Sequence, residues 1–188
     1  MACNVTLAEI TYGCDDLGIG GIVELYVASR ANAIAVLTST AATRVISAVS
    51  AKPTDLVQFS FNLKDGFSVF SEVKTSNADG SFSTIPTVSA EFPKMDAARI
   101  TALDQMSNGA PELVAFVKTA AGTHHVCGLD FGMYVSTIDG NSGTGRSEKN
   151  RFQLTLTGDE LGLGMTLEET TGDGGKAKFD TVVSLIKA

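Results

Sequence analysis

The sequence is poor in the side chains that most often build catalytic and metal sites. Its 188 residues include no tryptophan, three cysteines and two histidines. The two histidines, His124 and His125, are adjacent, and on a strand they would point to opposite faces, so they cannot bind one metal ion together. The cysteines, Cys3, Cys14 and Cys127, are odd in number and widely spaced, which argues against a disulfide framework and predicts small buried thiols. We therefore expect no catalytic residue, no metal site and no cofactor.

Positive charge is also scarce. The chain has 14 Lys and Arg residues against 21 Asp and Glu residues, which gives a formal net charge of −7. A protein that binds nucleic acid through its phosphates needs a basic surface, because neutralising phosphates supplies most of the affinity. The composition argues against specific DNA or RNA binding, but it is compatible with a surface past which DNA slides without sticking.

Long apolar segments are missing as well. The N-terminus lacks the basic start and the apolar stretch of a signal peptide, and no run reaches the roughly 18 apolar residues of a membrane helix. We therefore expect a protein that is made in the cytosol and has no membrane partner. The chain does contain 44% hydrophobic residues. This is enough to form a sizeable core in one domain, or in one domain with an appendage.

One glycine-rich segment, residues 140–147, has the spacing of a phosphate-binding loop, with two glycines followed by a basic residue and a serine. The basic residue is Arg146, where the motif has lysine. The segment also runs into residues 150–154, which have the pattern of a strand, whereas a phosphate-binding loop must open a helix. We interpret residues 139–148 as a hairpin loop, with Asn141, Arg146 and Glu148 as contact residues. The chain has no Gly-x-Ser-x-Gly nucleophile motif either.

The clearest local signal is a long hairpin. Two extended segments, 67–75 and 81–92, flank the turn sequence Ser-Asn-Ala-Asp-Gly at 76–80. Both arms are rich in Ser and Thr and only moderately apolar, so we expect the hairpin to project from the core and pair with another surface. Pro86 indicates an edge or a bulge, because proline has no N–H to donate. We assign six hairpin residues to an inter-subunit contact: Phe70, Glu72, Lys74, Asn77, Asp79 and Phe82.

The rest of the pattern predicts short strands around one helix. Asp96 can cap that helix, and Ala97, Ile100, Leu103 and Met106 follow at helical spacing. Strands are predicted at 5–12, 22–28, 33–37, 44–49, 56–62, 112–119, 124–129, 133–138, 151–157 and 182–186. This set predicts a mainly β fold, either a sandwich or a small barrel, with one flanking α-helix.

Several stretches of the sequence, taken in order, are similar to one known family. They are residues 1–3 (MAC), 10–14 (ITYGC), 25–28 (LYVA), 59–61 (FSF), 70–72 (FSE), the 79–80 turn before the helix at Asp96, and 150–158 (NRFQLTLTG). In this order and spacing the chain resembles tail tube-like structural proteins from phages and prophages of Bacteroidota. The resemblance covers about residues 1–160 and implies a tail-tube-like β domain there. Residues 161–188 are interpreted as a C-terminal extension whose strands pack on the same domain.

The resemblance implies a virion structural protein that assembles with itself. Its copies would form rings of about six, stacked into a phage tail tube, and the long hairpin would place its unpaired strand edges against identical neighbours. The implied partners are other copies, other tail proteins (sheath, terminator, baseplate or connector), and DNA that passes through without specific binding. The implied location is the phage tail in the virion, after assembly in the host cytoplasm.

In such a tube the negative net charge would have a role. Six copies at −7 each would carry about −42 per ring, and carboxylates facing the channel would repel DNA during ejection. A head–tail connector, or the inner tube of a phage-derived contractile injection system, is the alternative within the same fold. Two other classes also stay open: a binding module that uses the 139–148 loop and the hairpin, and an enzyme of unrecognised type.

Overall fold

The computed structural model describes residues 20–40, 44–50, 58–62, 68–93, 95–108, 112–143, 145, 150–168 and 175–187. The strands in these ranges are β1 (Ile22–Ser29), β2 (Leu37–Thr40), β3 (Val45–Val49), β4 (Gln58–Asn62), β5 (Val69–Ser76), β6 (Phe82–Pro93), β7 (Leu113–Thr119), β8 (His124–Cys127), β9 (Met133–Asn141), β10 (Arg151–Gly158) and β11 (Met165–Leu167). The helices are α1 (Arg30–Val36), α2 (Ala97–Ser107) and α3 (Lys176–Lys187). The predicted mainly β class is confirmed. The strand predicted at 5–12, Cys3 and Cys14 lie outside the described residues.

The described strands form one open sheet with two limbs. The first limb has the strand order β2-β3-β11-β8-β7-β1-β4, and the second has the order β9-β10-β6-β5. The limbs join only where Leu113 of β7 pairs with Met133 of β9. All pairs are antiparallel except β3 with β11. Since β2, β4 and β5 each have a partner on one side only, the described strands do not close into the barrel that was one of the two predicted architectures.

The sheet folds over so that its two limbs enclose a core. Alternate residues of β10 point into this core, and Phe152, Leu154 and Leu156 are at most 6% exposed, as their alternation predicts. They pack against first-limb residues such as Leu25 and Val117. Burying each of these side chains stabilises the fold by roughly 1.5–3 kcal/mol. The limbs are therefore held by packing, although they share only one strand-to-strand contact.

A second core lies on the opposite face of the first limb. It is closed by α1 and α3, and Phe116 of β7 and Phe179 of α3 are among its fully buried side chains. Strand β7 is buried on both faces, which explains its unbroken apolar run from Leu113 to Val117. The Tyr26 ring of β1 meets the Phe179 ring edge to face, with the centroids 5.7 Å apart.

Helix α2 begins where the sequence predicts. The Asp96 side chain accepts a hydrogen bond from the Arg99 N–H at 3.0 Å, which satisfies one of the helix's free N–H groups. Leu103 and Met106 are buried in the core between the limbs. Ile100, predicted to lie on the same apolar face, is instead 46% exposed.

The strand predicted at 182–186 is wrong, because this segment lies within α3. Its Val-rich sequence has a local preference for strand. Phe179 and Val182, however, are three residues apart and are buried on the same side of a helix. Lys176 and Asp180 add an ion pair at helical spacing, with 2.6 Å between Nζ and Oδ2. Tertiary packing of this apolar stripe against the first limb overrides the local preference for a strand.

The weak strand predicted at 33–37 is also wrong. Helix α1 covers most of it, and β2 begins only at Leu37. Helix α1 contains three alanines, which favour helix, and Ala33 is fully buried. The described residues therefore form three helices where one flanking helix was predicted. None of these three described helices is long and apolar enough to cross a membrane.

The other predicted strands within the described ranges are confirmed. The segments at 22–28, 44–49, 112–119, 124–129, 133–138 and 151–157 correspond to β1, β3, β7, β8, β9 and β10, and β4 covers 58–62 of the predicted 56–62. Pro86 lies in β6 just beyond Thr87, the last residue that pairs with β10. The same register places Pro86 opposite Gly158, the last residue of β10, so the missing N–H of Pro86 coincides with the interruption of the β6–β10 ladder.

Candidate functional site

The hairpin predicted from the sequence is formed by β5 and β6, and every residue of β5 is paired with β6. In the turn, the Asn77 N–H donates to the Ser81 carbonyl at 2.8 Å, and the Gly80 N–H donates to the Asn77 carbonyl at 3.0 Å. Gly80 has a φ of +82°, a conformation that favours glycine. The N–H and hydroxyl of Ser81 both donate to Asp79 and hold the pKa of that carboxyl below its usual range. Asn77 and Asp79 therefore shape the turn itself.

The end of the hairpin projects beyond the core. All residues from 73 to 82 are exposed. Phe82 points to the same side of β6 as the buried residues Thr84 and Pro86, yet it is 59% exposed. Lys74, which pairs with Thr84, is its diagonal neighbour on β5, with Nζ 5.1 Å from the centre of the Phe82 ring, a favourable cation–π distance. Two of the six predicted contact residues thus meet at the projecting end.

The outer face of the hairpin is apolar at the edge of the sheet. Val69 and Val73 of β5 are 52% and 58% exposed, and Ile85 of β6, which is paired with Val73, is 41% exposed. Among the described strands, β5 pairs with β6 alone. A free edge that also presents apolar side chains is a ready template for pairing with another chain. We call β5 with these three side chains the hairpin edge.

The inner face of the same strand anchors the hairpin. The Phe70 ring packs on the core, with its centroid 5.2 Å from that of His125 on β8. Burial, together with the neighbouring His124, lowers the pKa of His125, so this imidazole stays neutral against the Phe70 ring. Glu72 accepts a hydrogen bond from the Gly164 N–H, and burial raises its pKa. Phe70 and Glu72 therefore attach the hairpin to its own chain.

Strand β6 has a second attachment, to the segment after β10. The Thr84 N–H donates to the Glu160 carbonyl at 3.2 Å, and the Glu160 N–H donates to the Thr84 carbonyl at 2.8 Å. Thr84 is fully buried and Glu160 is 4% exposed. The two residues form a single β-bridge in the register of the β6–β10 ladder, beyond its last continuous pair of Thr87 with Thr157, and it holds the base of the projecting end against the segment after β10.

A buried charge cluster lies directly behind this bridge. The guanidinium of Arg44 donates to Asp130 Oδ2 at 2.6 Å and to Glu160 Oε2 at 3.1 Å. It also donates to the carbonyls of Gly162 and Leu163 at 3.1 and 2.7 Å. We call Arg44, Asp130 and Glu160 the acid cluster. It joins the start of β3, the β8–β9 loop and the β10–β11 loop, which are far apart in the sequence.

The acid cluster is short of positive charge. The Glu160 side chain is 2% exposed and that of Asp130 is 15% exposed, and one guanidinium serves both. Burial, reinforced by the adjacent Asp130 carboxyl, raises the pKa of Glu160 to about 7. Hydrogen bonds to Glu160 and Arg44 outweigh burial at Asp130 and lower its pKa. The two carboxyls therefore share one proton near neutral pH, with the proton on Glu160.

Arg44 adopts an uncommon backbone conformation to reach this position. Its φ is +54°, and it is the one residue other than glycine with a positive φ among the described residues. This left-handed conformation costs roughly 1–2 kcal/mol for a residue with a side chain. It persists because the guanidinium makes four hydrogen bonds that the surrounding loops require.

The outer face of the second limb is polar beside the hairpin edge. Its half-buried residues are mostly Thr and Ser: Thr87, Ser89, Thr155 and Thr157. Gln153 Nε2 donates to the Ser89 hydroxyl at 3.0 Å, and Arg151 forms an ion pair with Glu91 at 2.5 Å. The charges on this part of the face are therefore largely compensated.

The predicted loop contacts lie away from the hairpin turn. Asn141 ends β9, where its side chain accepts a hydrogen bond from the Gly143 N–H at 2.8 Å. It pairs with Arg151, which lies opposite Pro93 at the far end of the 12-residue strand β6. That places Asn141 roughly 35 Å from the hairpin turn along the sheet. Arg146 and Glu148 lie outside the described residues.

The acid cluster is the feature that sequence reasoning missed. Arg44 sits in a Thr- and Ala-rich stretch with nothing to mark it, and its contacts with Asp130 and Glu160 span 86 and 116 residues. One signal was available: both carboxylates stand in short glycine-flanked loops, at 128–132 and 158–162. Glycines on both sides of a charge indicate a tight backbone approach.

Cys127 is a fully buried free thiol, as predicted, and burial raises its pKa. Among the described residues, no group of three or more His, Cys, Asp or Glu side chains is placed to hold a metal ion. Comparisons of the chain with protein-family models, with curated proteins and with solved structures found no match.

Proposed function

We propose that this chain is a structural subunit whose copies assemble into rings and stack into a hollow tube, the tail tube of a bacteriophage. The observation that supports the proposal is the hairpin edge. There β5 has one described neighbour, and Val69, Val73 and Ile85 are exposed. Pairing with another copy would satisfy the free backbone groups and bury the apolar side chains together.

The several edges of the described sheet favour a ring over a dimer. Strands β2, β4 and β5 each have a neighbour on one side only. If β5 of one copy pairs with a different edge of the next copy, every copy still offers one free edge. Such head-to-tail contacts continue until the rotation per copy closes a ring. Pairing of β5 with itself would end at two copies.

In this proposal the polar face of the second limb lines the channel. A wall of hydroxyl groups with compensated charges offers DNA no basic patch to hold its phosphates. The net charge of −7 per copy adds general repulsion. The other proposed partners are further tail proteins that contact the ends or the outside of the tube, and the proposed location is the virion.

Electron microscopy with a matched pair of variants tests the proposal. Concentrated wild-type protein should form rings or tubes in negative stain, and its mass by light scattering should be a multiple of the 19.6 kDa chain. Val73→Lys places a charge on the hairpin edge and should leave the chain monomeric. Since Val73 is already 58% exposed, the substitution should change the stability of a single copy by less than about 0.5 kcal/mol.

Ile34→Lys is the control. Ile34 lies on α1 and is 49% exposed, so this variant makes the same kind of change away from the hairpin. It should assemble like the wild type. The proposal fails if the wild-type chain stays monomeric at high concentration, or if both lysine variants affect assembly equally.

A further inference from the structure

The acid cluster lies at the joint between the projecting hairpin and the rest of the molecule. The backbone of Glu160 pairs with Thr84 of β6, while its side chain accepts hydrogen bonds from Arg44 and from the Gly128 N–H at 2.5 Å. Glu160, in the β10–β11 loop, therefore connects the hairpin to the β8–β9 loop and to Arg44 at the start of β3. Because the backbone and the side chain of Glu160 make these contacts together, a movement of the side chain acts directly on the Thr84 bridge.

The charge at this joint depends on one proton. The groups that face Glu160 are the guanidinium of Arg44, the carboxyl of Asp130 and the buried thiol of Cys127, and Glu72 of β5 lies near the same guanidinium. With a proton on Glu160, the acid cluster is neutral, since Arg44 balances Asp130. Without that proton, two carboxylates share one guanidinium, and the side chains of Glu160, Asp130 and Arg44 are only 2%, 15% and 22% exposed. Like charges so placed repel each other, and burial strengthens the repulsion.

We propose that the acid cluster is a proton-dependent latch, which holds the hairpin against the first limb when Asp130 and Glu160 share a proton and lets it open more often when both are ionised. In the closed latch the Thr84 bridge and the Glu72 hydrogen bond to Gly164 are intact. Repulsion between the two ionised carboxyls moves their loops apart. The first contact to break is the Thr84–Glu160 bridge, because it is isolated at the end of the β6–β10 pairing, beyond the last continuous pair of Thr87 with Thr157.

The direction of the pH effect follows from the titration of Glu160. Its pKa is raised from 4.5 to about 7 in the closed latch, so the closed form binds more protons than an open form in which Glu160 meets water. The latch has its full stability below pH 4.5, loses stability as the pH rises towards 7, and changes little above that. Asp130 has a lowered pKa and acts in the opposite direction, but only at more acidic pH.

Hydrogen exchange tests the latch on the dispersed full-length chain. The amides of Thr84 and Glu160 donate to each other's carbonyls, so their protection reports the closed bridge directly. After correction for the intrinsic exchange rate, their protection should fall roughly 10- to 30-fold between pH 5.5 and 8.5. Glu160→Gln, which keeps the shape but cannot ionise, should show no such fall. Glu168→Gln changes an exposed glutamate that pairs with Lys178 and should behave like the wild type.

A direct titration keeps the proposal testable even if Glu160→Gln does not fold. The carbon resonance of the Glu160 carboxyl in the wild-type chain should titrate near pH 7. A midpoint near 4.5, or protection that does not vary with pH, would overturn the latch.

The consequence for assembly rests on the proposed function. A hairpin that opens more often presents its edge less consistently, so rings should form more readily at pH 6 than at pH 8.5. The two ideas can fail separately, because the exchange measurement uses dispersed chains. A chain that never assembles but shows the pH-dependent protection contradicts only the tube. A tube whose hairpin protection is insensitive to pH contradicts only the latch.

Discussion

Removing the guanidinium of Arg44 should destabilise the fold strongly, and by an amount that depends on pH. Arg44→Met keeps most of the apolar stem but leaves Asp130 and Glu160 without their shared cation. Breaking a buried ion pair by deleting one partner typically costs 3–5 kcal/mol. The lower end of this energy range applies to Arg44, because its side chain is 22% exposed. We expect a loss of about 3 kcal/mol in the free energy of unfolding at pH 8.

At pH 5 the same substitution should cost less, about 1.5 kcal/mol, because Glu160 is then protonated and only one unpaired carboxylate remains. Urea denaturation of dilute protein at both pH values measures the two losses. Arg99→Met on α2 is the control, since its ion pair with Asp96 is on the surface and should contribute less than about 1 kcal/mol at either pH. An equal loss for Arg44→Met at pH 5 and pH 8 would refute the shared proton.

Three further substitutions test local geometry by chemical denaturation. Gly128→Ala should cost more than about 2 kcal/mol, because a Cβ there would lie 2.5 Å from the Leu113 carbonyl oxygen and φ is +92°. Gly122→Ala has a similar φ of +87° but open space around it, so it should cost only about 1 kcal/mol, and equal losses at the two glycines would contradict the close approach. Asp96→Ala should cost about 1 kcal/mol by removing the cap of α2, and no change would mean that the cap is not needed.

The parts of the fold that the sequence predicts are those determined by nearest neighbours. The turn at Asn77–Ser81 uses residues whose side chains bond within five positions, and the alternation of β10 follows from one buried face. The position of α3 could not be predicted in this way. Its Val-rich segment has a local preference for strand, and only the distant face of the first limb makes Phe179 and Val182 a buried helical stripe.

The same difference between local and distant contacts decides which parts of the candidate site could be predicted. The hairpin and its turn were predicted, because alternation and turn residues are local. Which face of the hairpin binds its own chain was not, since Phe70 meets His125 across 55 residues and Glu72 meets Gly164 across 92. The acid cluster is still less local, and no single one of its residues differs from a solvated surface charge until the fold brings them together.

The two faces of β5 explain how one strand can be both anchored and available. Successive side chains of a strand point to opposite faces, so Phe70 and Glu72 are fixed on the core side while Val69 and Val73 stay exposed on the other. A hairpin that was free on both faces would lose conformational entropy whenever it bound a neighbour, and its affinity would be lower. Anchoring the inner face removes most of that cost before any contact is made. The availability of the hairpin edge therefore depends on the inner contacts, and the acid cluster at the Thr84 bridge is where a single proton can change them.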